Sequence, residues 1–318
     1  MKIVVMDGKG VNPGDMSWKQ IQQFGELIVY ERTASDEIID HVGDAEIVLT
    51  NKTVFDEDTI AKLKNVKYIG VLATGYNVVD LKAASKRGIV VTNIPAYSTD
   101  SVAQMTFAHI LNVTNHVDHY ARASRDSEWS RCPDFCYWDK PLVELAGKTI
   151  GIIGLGNIGM KVANIALNFG MNVIAYTSKE PKELPNGINK ASIDNILSDS
   201  DIISLHCPLT KQTRELINKD SIAKMKRSVI VVNTGRGPLV NEEDVANALH
   251  NGLIGAYCAD VMCSEPPSAD NPLFVEQNAY ITPHVAWASK EARIRLMDIA
   301  EKNIHSFLSG KPINVVNI

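Results

Sequence analysis

Short apolar runs alternate with amphipathic stretches along almost the whole chain. In residues 1 to about 100 the runs Ile3–Met6, Leu27–Tyr30, Ile47–Leu49, Tyr68–Val71 and Val90–Thr92 read as strands. The stretches Met16–Phe24, Ser35–Val42, Asp56–Leu63 and Asp80–Arg87 between them read as helices. Asp56 is placed to cap one of these helices, and Gly88 to stop another. This rhythm implies βαβ units and a parallel sheet with helices on both faces.

The second half repeats the rhythm. Strands are expected at Thr149–Ile153, Asn172–Tyr176, Ile202–Leu205, Val229–Asn233, Gly255–Asp260 and Ala279–Ile281. Six strands with interposed helices fit a doubly wound α/β sheet. A long helical pattern from Ser101 towards His119 follows the turn-rich segment Asn93–Asp100, which reads as a domain crossover. Residues 125 to 141 are irregular and carry Trp129, Phe135, Tyr137 and Trp138; such an arm can be a subunit contact, a cover for a cleft or an internally packed loop. After Trp287 an amphipathic helix runs from about Ala288 to Leu308, and Pro312–Ile318 forms a tail. The expected organisation is two α/β domains. Residues 1–100 and 288–318 form a smaller flavodoxin-like domain, and residues 101–287 a doubly wound parallel-sheet domain.

Between the first two strands of that second domain the apolar run breaks into Gly154-Leu155-Gly156-Asn157-Ile158-Gly159, and Met160 to Phe169 reads as a helix closed by Gly170. Strand, glycine turn, helix, strand is the context of a dinucleotide fingerprint. Gly154 permits the tight turn, Gly156 lets the backbone approach a pyrophosphate, and Gly159 lets helix and strand pack closely. Free N–H groups at the helix N-terminus then face the anion. A glycine-rich turn in some other α/β protein is the plainer alternative. The fingerprint also wants an acid about 20 positions on, gripping the ribose 2′-OH. Here Tyr176-Thr177-Ser178-Lys179 stands there. A threonine does not repel a 2′-phosphate and Lys179 can pair with one, so NADP or dual use is slightly favoured; otherwise Lys179 is a solvated lysine and NAD binds through the threonine hydroxyl.

Composition narrows the class. The 318 residues are 45% apolar and carry a net charge of −5 with both signs interspersed, which argues against nucleic acid or an acidic membrane as partner. No apolar run approaches the roughly 18 residues that span a bilayer, and the N-terminal run is too short for a signal peptide. The five cysteines, Cys132, Cys136, Cys207, Cys258 and Cys263, are odd in number and form no CxxC pair. Free thiols in a reducing cytoplasm are expected, and no metal site.

Three polar positions fall just past strand ends: Arg236 in Asn233-Thr234-Gly235-Arg236-Gly237, Glu265 in Asp260-Val261-Met262-Cys263-Ser264-Glu265-Pro266, and His284 in Ile281-Thr282-Pro283-His284. They are expected at the same sheet edge as the glycine turn. Reduction of a 2-keto acid by a nicotinamide needs these types. An arginine holds the carboxylate by paired hydrogen bonds, a histidine protonates the forming alkoxide, and a carboxylate favours the charged imidazole and fixes its tautomer. By residue type alone each also fits a plainer role, as surface charges and a structural hydrogen-bonder. Ala73-Thr74-Gly75 follows another strand end, where small residues expose N–H groups that could hold a carboxylate or simply form a strand-to-helix turn.

Over essentially its whole length the chain resembles the D-isomer-specific 2-hydroxyacid dehydrogenases. The residues that carry the likeness are Gly154-Leu155-Gly156-Asn157-Ile158-Gly159, Leu205-His206-Cys207-Pro208-Leu209-Thr210, Asn233-Thr234-Gly235-Arg236-Gly237, Asp260-Val261 with Glu265-Pro266, and Thr282-Pro283-His284. The resemblance implies an NAD(P)-dependent oxidoreductase in which Arg236 binds substrate, His284 is the acid/base and Glu265 orients it. Ala73, Thr74 and Gly75 would hold the substrate carboxylate, making residues 1–100 and 288–318 the substrate domain. Asp260 would contact the nicotinamide side and Cys207–Pro208 the adenosine half. The expected cofactor contacts are thus Gly154, Gly156, Asn157, Ile158, Gly159, Thr177, Ser178, Lys179, Cys207, Pro208, Thr234 and Asp260. Hinge motion near residues 100 and 287 would exclude water. His284-Val285-Ala286-Trp287-Ala288-Ser289 and Pro95-Ala96-Tyr97-Ser98 look most like glycerate dehydrogenases, also called hydroxypyruvate reductases. The alternatives are a phosphoglycerate or other D-2-hydroxyacid dehydrogenase, or a NAD(H)-sensing corepressor-like protein. A cytoplasmic homodimer is the expected state.

Overall fold

The computed structural model describes residues 1–317; Ile318, at the end of the expected tail, lies outside the described residues. The chain divides into two compact units, Met1–Ser98 with the chain from Trp287 onward, and Thr99–Ala286.

In the first unit the order is β1 (Lys2–Val5), α1 (Gly8–Val11), α2 (Lys19–Gln22), β2 (Glu26–Val29), α3 (Ile38–Val42), β3 (Ile47–Thr50), α4 (Glu57–Lys62), β4 (Tyr68–Val71), α5 (Leu81–Lys86) and β5 (Val90–Thr92). The strands form a parallel sheet in the order β2-β1-β3-β4-β5. β3 and β4 are buried at every residue, which is why they read as unbroken apolar runs. Asp56 caps α4, its carboxylate accepting the N–H of Thr59 at 2.8 Å, and Gly88 follows α5 with φ +68°.

The second unit runs α6 (Thr99–Asn115), α7 (Val117–Arg125), α8 (Glu128–Arg131), β6 (Thr149–Ile153), α9 (Asn157–Asn168), β7 (Asn172–Tyr176), β8 (Ile188–Lys190), α10 (Ile193–Asp199), β9 (Ile202–Leu205), α11 (Lys219–Ile222), β10 (Ile230–Asn233), α12 (Glu242–His250), β11 (Ala256–Ala259) and β12 (Ala279–Ile281). Its strands make a seven-stranded parallel sheet, β12-β11-β10-β9-β6-β7-β8, with an apolar core on each face. α13 (Lys290–Leu308) returns to the first unit, where Leu296, Met297, Ala300 and Ile304 pack on the sheet.

Four sequence expectations need correction. The sheet of the second unit has seven strands rather than six, because Ile188-Asn189-Lys190 is too short and polar to carry a period. The helix expected from Ser101 towards His119 is two helices: His116 sits at φ +49°, in the left-handed region, and ends the ladder of α6. The stretch Met16–Phe24 is helical only over Lys19–Gln22, since the Asn12 side chain binds the N–H groups of Gly14 and Met16 and the Met16 carbonyl and so holds a loop there. Of Ser35–Val42 only Ile38–Val42 is helical. No helix among the described residues is long and apolar enough to cross a membrane.

Candidate active site

In the larger sheet the chain moves outward from β6 to β7 and β8, then returns to β9 on the other side of β6. The carboxyl ends of β6 and β9 therefore flank a topological switch point, where open α/β sheets bind ligands. The turn after β6 is shaped for an anion. Gly154 has φ +95°, which only glycine adopts without strain, and a Cβ there would lie 2.6 Å from the Cys207 nitrogen, so the turn sits directly against the loop after β9. A Cβ on Gly159 would lie 2.1 Å from the Gly154 carbonyl oxygen, so helix and turn meet backbone to backbone. A Cβ on Gly156 would meet nothing within 4 Å. α9 begins at Asn157, three residues earlier than its apolar pattern suggested, with Gly156 as a cap that offers no side chain. The exposed Asn157 and the half-buried Ile158 thus offer the first N–H groups beside that open space, at the positive end of a twelve-residue helix, while Gly159 is buried against the turn. These residues fit a pyrophosphate.

Past β7, the Thr177 hydroxyl accepts the N–H of Lys179 at 3.2 Å, and Lys179 has no ion-pair partner among the described residues. Beyond β9, Cys207 and Pro208 line the turn; the Pro208 carbonyl accepts the Thr213 hydroxyl, and burial raises the pKa of the Cys207 thiol, keeping it protonated. Thr234 is buried. Its hydroxyl donates to Thr106, whose own proton goes to the Val102 carbonyl, so the Thr234 hydroxyl proton is already committed within the protein.

The catalytic candidates follow the neighbouring parallel strands β10, β11 and β12, so all three loops leave the same edge. His284 and Glu265 meet directly: Nδ1 lies 2.7 Å from Oε2, while Oε1 accepts the N–H of Met262 at 3.1 Å. A carboxylate held at both oxygens fixes the ring and makes Nδ1 the protonated nitrogen beside it. Nε2 has no partner among the described residues, and it is the nitrogen available to a substrate. His284 stands at φ +54°, in the left-handed region, its N–H bonded to the Thr282 carbonyl at 2.9 Å. Such a backbone costs of order 1 kcal/mol and persists only where its surroundings hold it. Asp260 does the holding. Its Oδ1 accepts the Thr282 hydroxyl at 2.6 Å and the Val285 N–H at 2.9 Å, and its Oδ2 accepts the Ala286 N–H at 2.7 Å. Behind it the buried His109 reaches Thr282 through Nε2 at 3.2 Å, and burial holds its pKa down. The residue expected at the nicotinamide thus has its carboxylate, 1% exposed, engaged on the turn that presents His284.

Arg236 is exposed, with Nη1 on the Gly235 carbonyl at 2.7 Å. The buried Asn233 side chain shapes its loop, donating to the Arg236 carbonyl and accepting the Gly235 N–H. A Cβ on Gly237 would fall 2.0 Å from the Met262 carbonyl carbon, so the Arg236 loop rests on the segment leading to Glu265. Sequence reasoning missed Thr282, His109 and Glu242, which accepts the Cys263 N–H and the Asn271 amide and so fixes the loop around Glu265. The first helical position after an Asn cap was the only signal for Glu242.

In the smaller unit, the loop after β4 has its carbonyls taken. Leu72 O accepts from Asn51 Nδ2 at 2.6 Å, Ala73 O from the Ile94 N–H at 2.9 Å and Thr74 O from Asn93 Nδ2 at 2.8 Å. The N–H groups of Ala73, Thr74 and Gly75 have no acceptor among the described residues. Consecutive free N–H groups of this kind form a concavity suited to a carboxylate.

A dinucleotide turn at a switch point with an Arg, Glu and His at one edge defines a class of nicotinamide-linked hydroxyacid oxidoreductase. Residues 107–286 match the family described as D-isomer specific 2-hydroxyacid dehydrogenase, NAD binding domain, and the chain belongs to that family. It is 48% identical to a hydroxypyruvate reductase of Blautia hydrogenotrophica over 100% of both chains, and 38% identical to a glycerate dehydrogenase of Methylorubrum extorquens over 99% of this chain and 98% of the other. Among solved structures it superposes on an acyclic imino acid reductase in complex with NADPH and D-Arg with a TM-score of 0.86, at 30% identity, covering 99% and 100% of the two chains.

Proposed function

We propose that the protein is a hydroxypyruvate reductase, also called glycerate dehydrogenase, that reduces hydroxypyruvate and glyoxylate to the 2-hydroxy acid in the cytoplasm. The observation that carries the reading is the His284–Glu265 pair at 2.7 Å, presented beside the Arg236 loop at the edge that also bears the glycine turn. A bound nicotinamide supplies the hydride. In the larger unit Arg236 is the residue that pairs with a substrate carboxylate, and in the smaller unit the N–H groups of Ala73, Thr74 and Gly75 are the carboxylate receptor. His284 Nε2 gives its proton to the carbonyl oxygen as the alkoxide forms. Glu265 balances the imidazolium before transfer and keeps the ring in place afterwards. His284→Ala leaves cofactor binding intact and lowers kcat by about 100- to 10,000-fold, the usual contribution of a positioned general acid. Turnover near wild type in that variant sinks the mechanism, and a keto-acid panel in which hydroxypyruvate is a poor substrate sinks the assignment.

Thr177 and Lys179 support use of NADPH, or of both cofactors, because a threonine stands where a ribose-binding acid would repel the 2′-phosphate, and Lys179, with no ion-pair partner among the described residues, can pair with that phosphate. The panel is run with NADH and NADPH side by side, and a KM far lower for NADH overturns this part. The arm supports a homodimer: Phe135, Trp138 and Trp129 are 88%, 67% and 55% exposed, so these rings are not packed within the chain. Sedimentation as a monomer at micromolar concentration removes that reading.

A further inference from the structure

We infer that Asn51, Asn93, Asn303 and Asn314 are positioning residues that hold the Ala73–Gly75 loop as a carboxylate receptor. This rests on the function proposed above. A peptide loop offers N–H groups to an anion only when its carbonyls are turned elsewhere and kept there. Here three consecutive carbonyls are held, two of them by asparagine side chains, from Asn51 to Leu72 O and from Asn93 to Thr74 O. The Thr74 hydroxyl donates to the Ile94 carbonyl at 2.8 Å and locks the loop to the segment that bears Asn93.

Each asparagine is itself fixed. Asn51 follows β3, and Asp7 accepts the N–H groups of Asn51, Lys52 and Thr53, at 2.8 Å, 2.5 Å and 2.9 Å. Asn93 is held from the far end of the chain. Its carbonyl accepts from Asn303 Nδ2 at 3.0 Å, and its N–H donates to the Asn314 carbonyl at 3.2 Å. Asn303, on α13 and fully buried, accepts Asn314 Nδ2 at 2.8 Å. Asn314 sits at φ +53°, a backbone that asparagine tolerates better than most residues. A polar path therefore runs from the C-terminal segment through α13 to the substrate loop. An amide is required at Asn51 and Asn93, because a carbonyl needs a donor and a carboxylate there would repel it.

The test uses the full chain with NADPH bound and oxamate, a non-reducible 2-keto acid isostere, as probe. Asn93→Asp keeps size and removes the donor. Its oxamate Kd and its KM for hydroxypyruvate rise together by about tenfold or more, one lost charge-assisted contact being worth a decade. Its NADPH Kd is unchanged and its kcat stays within about threefold. Asn303→Ser, one step further from the loop, moves KM in the same direction by less. A merely structural role lowers the melting temperature and the active fraction and leaves the oxamate Kd of the folded protein alone. Oxamate Kd and KM within about twofold of wild type in folded Asn93→Asp overturn the inference. If that variant does not fold, Asn51→Ser, which shortens the donor, decides on the same two numbers. Oxamate binding needs no turnover, so a wild-type chain inert towards keto acids sinks the proposed function while the comparison of oxamate affinities still judges the loop.

Discussion

Each of the two sheets has a switch point, and the two are furnished oppositely. In the larger unit the crevice lies between the turn after β6 and the loop after β9. Its helix is twelve residues long, its cap has no side chain, and a Cβ at Gly156 would meet nothing. In the smaller unit the chain also reverses, between β1 and β3. There the residue after β1 is followed by Asp7, whose carboxylate reaches across and takes three consecutive N–H groups after β3. The helix that follows has four residues. A short helix concentrates little dipole at its N-terminus, and the place an anion would take is filled by the protein's own carboxylate. One fold thus yields a dinucleotide cradle where the crevice is left open, and a rigid support where the chain supplies the anion itself. Topology marks where ligands can bind, and the side chain after the first strand decides whether one does.

The largest effects come from closing the open crevice. In Gly159→Ala the new methyl lies 2.1 Å from the Gly154 carbonyl oxygen, and backbone must move. The expected cost is about 3 kcal/mol of stability, with cofactor affinity falling by about 100-fold or more. Gly156→Ala separates the two consequences. Its methyl meets no atom beyond its chain neighbours within 4 Å, so melting stays where it was, while the group intrudes on the ligand and raises the Kd for the nicotinamide cofactor by about tenfold. Calorimetry of both variants with and without cofactor measures this. Equal loss of stability in the two would mean that the turn is packed rather than open.

The filled crevice predicts the converse. Asp7→Ala removes the acceptor for three N–H groups and costs about 2 kcal/mol, seen as earlier melting of the smaller unit. Cofactor affinity does not change. Weakened cofactor binding in that variant would erase the distinction between the two sheets.

Much of this was legible in the sequence, and what was not has a common cause. Strand-turn-helix order, the glycine spacing and the residues after β10, β11 and β12 are local patterns, and they led to Arg236, Glu265, His284 and the open turn. The roles of Asp260, Asn51, Asn93 and Asp7 are not local. Asp260 reads as one more polar residue at a strand end until Thr282, Val285 and Ala286, more than twenty positions away, are seen to donate to it. Asn93 gains its meaning from Asn303, 210 positions on. β8 was invisible because three residues leave no periodicity, and the break at His116 because no glycine or proline announces it. Pattern recovers elements and strand-end chemistry; long-range hydrogen bonds, which hold that chemistry in place, leave no spacing to read.

The smallest expected effect is a difference in acid sensitivity between the units. His206 leaves β9 beside the glycine turn, with its Nε2 2.8 Å from the Ser204 hydroxyl, and burial pushes its pKa down to about 4. An unfolded histidine titrates near 6.5, so between about 6.5 and 4 the unfolded chain binds the extra proton and the folded one does not. The stability linked to His206 is therefore complete above about pH 6.5 and declines as the pH falls towards 4. His109 and His116 are also held down by burial, and all three lie in the larger unit. The carboxylates held below their usual range by hydrogen bonds, such as Asp15 and Asp44 in the smaller unit, lose their contribution only at lower pH. The window from 6.5 to 4 thus reports on the larger unit. Its melting temperature should fall between pH 7 and pH 5 by about 2–4 °C for each kcal/mol lost, and His206→Gln, which keeps a hydrogen-bonding side chain without titrating there, should narrow the gap. An unchanged gap in that variant would show that His206 accepts its proton in the folded protein as readily as in the unfolded chain, and that the loop opposite the glycine turn is wet rather than closed.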